Sequence, residues 1–321
     1  MKRREFLSYP GSLLLALPFL PAGNYPESPV PRNPDYGVHK LTIGKFQVRI
    51  FRDLLFRYQG KDYFINAPAG QVEAELSRYG QKTDHIPSPF VALLIEQGKE
   101  KILVDTGIGF SSQPVQFRGQ AYQFQGQLLE ILRKEGVSRQ SITRVILTHF
   151  HPDHIGGLSD ESGQPNFPNA KVIVHEAEWA YWHSIRSADQ SPLFHYFIKK
   201  NITPLQQADL TLLKGREAAI VPGITAIQTP GHTPGQIALR IASQSDKLLY
   251  ISDAFLHPLH IRHLDWQTNY DLDHELARKS RIQLIELAHQ EKMPIQAFHF
   301  EFPGLGTVEK TGINWQWVKS Q

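Results

Sequence analysis

The chain has 321 residues and a formal charge of +3, with 41% hydrophobic and 11% aromatic residues and no cysteine. The charge falls to +1 without Lys2, Arg3, Arg4 and Glu5, so the body of the chain lacks the basic excess of a nucleic-acid-binding surface. Absence of cysteine excludes disulfides, thiolate metal ligands, a cysteine nucleophile and a lipoprotein anchor, while the apolar content suffices for one large core.

Residues 1–23 have the layout of a signal peptide: basic Lys2-Arg3-Arg4, an apolar run from Leu13 to Leu20, then Pro21-Ala22-Gly23. The run is too short and too broken by proline for a permanent membrane span. Arg3-Arg4-Glu5-Phe6-Leu7 resembles the twin-arginine export motif, with Lys2 where Ser or Thr is usual, and implies a periplasmic or secreted bacterial protein. Residues 24–36, with prolines at 26, 29, 31 and 34, read as an extended linker. Residues 37–321 then alternate strands and helices without an internal boundary, the pattern of an α/β domain.

Phe90–Ile95 and Lys101–Val104 predict a hairpin turning at Gln97-Gly98-Lys99, and the second strand runs into Asp105-Thr106-Gly107. Residues 126–135 carry Leu128, Leu129, Ile131 and Leu132 at helical spacing. Arg144–Thr148 reads as a short buried strand, and the stretch beyond it is dense in ligating groups: His149, His151, Asp153 and His154. Imidazole and carboxylate are donors that borderline divalent ions prefer. His149 and His151, two apart on extended backbone, point to one side. Pro152 stops the strand, the Gly156-Gly157 pair is expected to turn the chain, and adjacent Asp153 and His154 cannot easily face the same ion as the first pair. This pattern predicts two neighbouring metal positions.

Residues 176–187 predict a helix with Trp179, Tyr181 and Trp182. His232 lies in a turn-rich loop, Thr229–Gly235, after the strand Ile224–Ile227, and Asp253 comes directly after the hydrophobic strand Leu248–Ser252. A helix over 273–290 presents Leu276, Ala277, Ser280, Leu284, Leu287 and Ala288 to the core. His299 stands at the end of the strand Pro294–Phe298.

The HxHxDH cluster at a strand end, with His232, Asp253 and His299 after it in that order, resembles the signature of the metallo-β-lactamase-fold hydrolases. The resemblance spans residues 38–320, and the ending around Phe298–Gly306 is similar to exported members near methyl parathion hydrolases and N-acyl homoserine lactonases. It implies an αβ/βα sandwich: two mixed β-sheets face to face with helices on both outer sides. It assigns His149, His151 and His232 to one metal, Asp153, His154 and His299 to a second, and Asp253 to both. A carboxylate has two oxygens and can bridge, whereas an imidazole offers one free lone pair. Asp105 would orient a metal-bound histidine. The implied cofactors are two divalent ions, Zn²⁺ first, with Mn²⁺, Fe²⁺ or Co²⁺ allowed by the donor set.

The activity the resemblance implies is attack of a metal-bridging hydroxide on a lactone or other ester, and on phosphotriesters as a further class. Asp253 and Asp153 are the catalytic candidates, the latter or a water carrying the proton to the leaving oxygen. A small-molecule ester is the expected partner, with no nucleic acid and no stable membrane anchor, and a homodimer is compatible with the chain. The alternatives are a glyoxalase II-like thioester hydrolase, for which a carboxy-terminal helical domain is expected and finds no room after His299, a mononuclear iron dioxygenase, which is usually poorer in second-site ligands, and a catalytically inert binding protein, which would have lost ligands. Phe117, Trp179, Trp182, Phe194 and Phe197 are pocket candidates, Tyr181 and Tyr196 are proton or hydrogen-bond donors by analogy, and His257 is placed near the metals or in an ordinary loop.

Overall fold

The computed structural model of the chain describes residues 37–184, 190–205 and 210–320. The expected signal and linker lie outside these residues. The first half contributes strands β1 (Val38–Ile43), β2 (Phe46–Tyr58), β3 (Ile86–Gln97), β4 (Glu100–Val104), β5 (Val115–Phe117), β6 (Gln120–Tyr122), β7 (Arg144–Ile146), β8 (Lys171–His175) and β9 (Leu210–Leu213). The second contributes β10 (Glu217–Val221), β11 (Ile224–Gln228), β12 (Ile237–Ser243), β13 (Asp246–Tyr250), β14 (Ile295–Gln296), β15 (Leu305–Thr311) and β16 (Asn314–Lys319). They form two seven-stranded mixed sheets, ordered β1-β2-β3-β4-β7-β8-β9 and β10-β11-β12-β13-β14-β15-β16, and β5 and β6 pair only with each other. The helices are α1 (Gly60–Tyr63), α2 (Ala69–Ser77), α3 (Leu128–Lys134), α4 (Pro152–Ile155), α5 (Glu176–Trp182), α6 (Pro192–Asn201), α7 (Pro258–Arg262) and α8 (His274–Gln290). None is long and apolar enough to cross a membrane.

Side-chain alternation along the strands builds the layers. In β12, Ile237, Leu239 and Ile241 enter the core between the sheets, where they meet Ile50, Leu93 and Val104, while Ala238 faces the other way. In β13, Leu248 and Tyr250 point inward and Leu249 outward. The outward residues pack under α8 against Leu284, Ile285 and Ala288. Burying each of these larger aliphatic side chains contributes roughly 1.5–3 kcal/mol. Asp273 caps α8 by accepting from Leu276 N at 2.9 Å. The exposed face of α8 includes Leu276, 40% accessible, which the periodicity had placed in the core.

The two halves repeat one plan. In each, four antiparallel strands lead to a crossover and a parallel neighbour, β4 to β7 in the first half and β13 to β14 in the second. Asp105 lies just past β4, the histidine cluster past β7, Asp253 past β13 and His299 past β14. Ligands separated by as many as 150 positions therefore emerge at corresponding strand ends.

Several boundaries differ from expectation. Helix α5 ends at Trp182, and positions 185–187 of the expected helix lie outside the described residues. Strand β14 has two residues, because the chain beyond it serves the site. Pro152 does more than end a strand: it is the first residue of the helical turn α4. Gly157 and Gly156 turn the chain behind α4, as expected, with Gly156 at φ −61° and ψ −27°. A Cβ there would stand 2.0 Å from Ile108 O, and one at Gly157 would stand 2.2 Å from Thr106 O. These glycines let the ligand loop lie flat against the 106–108 backbone. Gly156→Ala is expected to cost on the order of 3 kcal/mol and lower Tm by several degrees; an unchanged Tm in thermal unfolding would contradict this reading.

Candidate metal centre

Beyond β7 the chain bends at Thr148, and His151, extended at φ −70° and ψ 152°, leads into α4. This change of backbone sorts the ligands. His149 and His151 precede the helical turn, which swings Asp153 and His154 to the other side. The first pair joins His232 and Asp253 in one cluster, and the second joins His299 and Asp253 in another, each with its donor atoms within 4.8 Å of one another. All seven sequence candidates are thus brought together, and Asp253 belongs to both groups.

The donor atoms of each cluster face each other at short range. His232 Nε2 lies 2.8 Å from His151 Nδ1 and 3.5 Å from Asp253 Oδ2. His299 Nε2 lies 3.0 Å from Asp253 Oδ2 and 3.5 Å from Asp153 Oδ2. His154 Nε2 stands 3.2 Å from Asp253 Oδ1. Bonds of about 2.0–2.1 Å to a tetrahedral ion place neighbouring ligands about 3.3 Å apart, which matches this spacing. His149 Nε2, His154 Nε2 and Asp253 Oδ1 are buried and make no hydrogen bond. Such orphans are unfavourable in a dry interior unless something occupies the space between them, and the donor set fits two divalent ions.

Burial, reinforced by neighbouring imidazoles, pushes His149 and His151 well below the usual histidine pKa, keeping them neutral, the form that ligates. Burial would raise Asp253, but His299 and His154 hold it well below the usual carboxylate range. Burial raises Asp153, against the opposing pull of the same two histidines.

The ring atoms that face away from the clusters are also engaged, and this fixes ring orientation. Asp105, at φ 57°, takes His154 Nδ1 at 2.9 Å, Thr148 N at 2.8 Å, Thr148 Oγ1 at 2.9 Å and the Tyr250 hydroxyl at 2.7 Å. Asp271 takes His232 Nδ1 at 3.1 Å and is itself held by buried Arg281 at 2.6 Å. Ser88 Oγ lies 2.9 Å from His299 Nδ1 and 3.0 Å from the Tyr63 hydroxyl. Fully buried Glu178 accepts from Phe150 N, Trp182 Nε1, Thr233 Oγ1 and Gly235 N, tying the His149–His151 loop to the His232 loop. Asp271, Ser88 and Glu178 carry no signal in the sequence; only Asp105 was marked there.

Next to the clusters lies a pocket lined by Asp153, Asp253, His151, His232 and His299. Phe56, Tyr58, Phe90, Phe117, Phe124 and Phe194 give it an aromatic wall, completed by Tyr63 and Tyr270. Phe117 and Phe194 were anticipated. Trp182 instead stacks behind Phe194 at 5.8 Å and bonds Glu178, Trp179 stacks on His183, and Phe197 is core packing beside Phe124. Tyr181 accepts from Gln190, and Tyr196 donates to Glu161; neither lines the pocket. His257 is buried as the cap of α7, accepting from Leu259 N and meeting Gln81 at 3.0 Å, and burial pushes its pKa down to about 3. It belongs to neither metal cluster. Because four donors converge on Asp105, Asp105→Asn would set an amide N–H against other donors. Chelator competition is expected to show metal affinity reduced 10–100-fold; wild-type affinity would contradict the role assigned to Asp105.

Known proteins resemble the chain in sequence and in fold. An N-acyl homoserine lactonase of Bacillus cereus is 27% identical over 252 residues, covering 74% of this chain and 92% of that protein. The crystal structure of the hydrolase AbOPH superposes with a TM-score of 0.78 at 25% identity, covering 89% of this chain and 98% of the other. AidC, a dizinc quorum-quenching lactonase solved with the product N-hexanoyl-L-homoserine, shares the fold with a TM-score of 0.76 at 24% identity, over 89% of this chain and 98% of its own. Residues 88–291, more than half of the chain, match the family model of the metallo-beta-lactamase superfamily, and the protein belongs to that superfamily.

Proposed function

We propose that this superfamily hydrolase acts on lactones or related esters at a dinuclear metal site, with phosphotriesters as a further class. The observation that carries the reading is a pair of four-residue clusters sharing Asp253 beside an aromatic-walled pocket. The relatives named as lactonases support the ester assignment.

His149, His151 and His232 would hold one ion, Asp153, His154 and His299 the other, and Asp253, common to both clusters, would serve both. When bound, two divalent ions, for which Zn²⁺ is the best match to this imidazole-rich set, lower the pKa of water toward neutrality and polarise an acyl oxygen. The chain's own residues do the rest. Phe90, Phe117, Phe124 and Phe194 take the apolar part of the substrate and exclude water from the reacting bond. Asp105, Asp271 and Ser88 keep three imidazoles in the tautomer that presents Nε2. Asp153 lines the pocket, which supports the reading in which its carboxylate, or a water beside it, carries the proton to the leaving oxygen. Export through residues 1–23 to a periplasmic or secreted location is part of the proposal.

His151→Ala and Asp253→Ala are expected to lose bound metal and at least about a thousandfold in kcat/KM, roughly 4 kcal/mol of transition-state stabilisation. Metal analysis with a panel of lactones, aryl esters and phosphotriesters measures both quantities. Normal turnover by a metal-depleted variant would end the proposal.

A further inference from the structure

The β5–β6 hairpin stands apart from both large sheets and pairs with neither. Its stem is firmly rooted. Asp53 accepts from Ile108 N at 2.8 Å and Leu128 N at 2.7 Å, Gly126 N bonds Gly109 O at 2.6 Å, and Ser111 and Phe124 exchange two bonds. Ser112, at the next step outward, bonds Glu161. Beyond that point the polar ties become sparse: among the described residues, the hydrogen bond recorded from segment 113–122 to the rest of the protein is the ion pair from Arg118 to Asp62. The segment otherwise rests on apolar contacts, such as Phe117 with Phe194 at 6.5 Å and Tyr122 with Phe56 at 5.4 Å.

Arg118 is an unusual residue for its position. Arg118 and Gly119 form the two-residue turn, with φ of 49° and 78°. Such turns favour Asn, Asp or Gly because both positions require positive φ, and a side chain as large as arginine is strained there. Strain of this kind persists where surrounding contacts hold it. Here the guanidinium binds Asp62 and lies 4.7 Å from the ring centre of Tyr270 and 5.6 Å from that of Phe117. Both rings line the pocket.

The catch is as well fixed as the latch is loose. Asp62 O accepts from Asn269 N at 2.9 Å and Thr268 Oγ1 at 2.9 Å, and Asp62 Oδ1 accepts from Asn269 Nδ2 at 3.2 Å. Asp62 is therefore held by the loop that carries Tyr270 and Asp271, the latter bonded to His232. The hairpin thus has a hydrogen-bonded stem, contributes Phe117 to the pocket lining, and carries at its tip a charge paired with Asp62.

We propose that Arg118 is a specificity-determining residue: by latching the β5–β6 hairpin to Asp62 it limits the length of acyl chain the pocket accepts. Short chains fit beneath Phe117 and Phe124 with the latch closed, whereas longer ones lift the hairpin and break the ion pair. The kinetic part of this inference rests on the ester-hydrolase reading above; the structural part does not.

The test uses the full chain as Arg118→Gln and, from the opposite rim, Asp62→Asn, with Arg118→Lys as the conservative variant. Amide hydrogen exchange across 115–122 is expected to quicken at least fivefold in the first two, with Arg118→Lys between them and wild type. The ratio of kcat/KM for a dodecanoyl over a butanoyl ester is expected to rise at least threefold in the same order. Unchanged exchange in that segment would overturn the latch, whether or not any ester is turned over. Faster exchange with an unchanged or lower chain-length ratio would overturn the role in specificity.

Discussion

The structure depends on one costly convergence: seven His and Asp side chains from two halves of the chain, buried together in two clusters that share Asp253. Each buried polar atom left without a partner costs about 1–3 kcal/mol. His149 Nε2, His154 Nε2 and Asp253 Oδ1 are three such atoms, so the penalty is of the order of the net stability of a whole domain, roughly 5–15 kcal/mol. Structural zinc sites recover about 10–16 kcal/mol on binding, enough to offset it. Bound metal would therefore be energetically linked to the fold, and the supports around the clusters belong to that balance. Asp105, Asp271 and Glu178 are buried carboxylates, each satisfied by several donors. They hold the ligand loops in a geometry that the ligands alone would not choose.

The repeated plan of the two halves explains why the convergence is possible. Parallel crossovers at β4–β7 and β13–β14 bring strand ends from distant positions to the same edge of the sandwich. Positive-φ residues then turn the chain into the site just past the first strand of each pair, Asp105 after β4 and Ser252 after β13. Asp105 became a support for the ligands, whereas Asp253, next to Ser252, became the shared ligand.

The seven residues that cluster were legible in the sequence because each is a His or Asp in a segment that follows an apolar strand, and four of them are local. The supports were not. Ser88 reaches His299 across 211 positions and Glu178 reaches Gly235 across 57, and nothing in their immediate neighbourhood separates them from ordinary polar residues. Aromatic residues on a helix were a poor guide to the pocket. Trp182 and Phe194 read alike in the sequence, yet only Phe194 faces the cavity while Trp182 stacks behind it. The strand residues Phe56, Tyr58 and Phe90 form more of the wall, and strand alternation could have placed them on one face but not at the mouth of a site. The glycine pair after the cluster makes the turn read from the sequence, and it also serves close backbone approach, which the sequence did not signal.

The central claim is that two metal ions share Asp253 between the clusters. Anomalous diffraction from crystals of the metal-loaded protein, collected at the absorption edge of the bound metal, tests it directly. The predicted result is two peaks about 3.5–4 Å apart, one within bonding distance of His149, His151 and His232, the other of Asp153, His154 and His299. A single peak, or two peaks not bridged by Asp253, would contradict it.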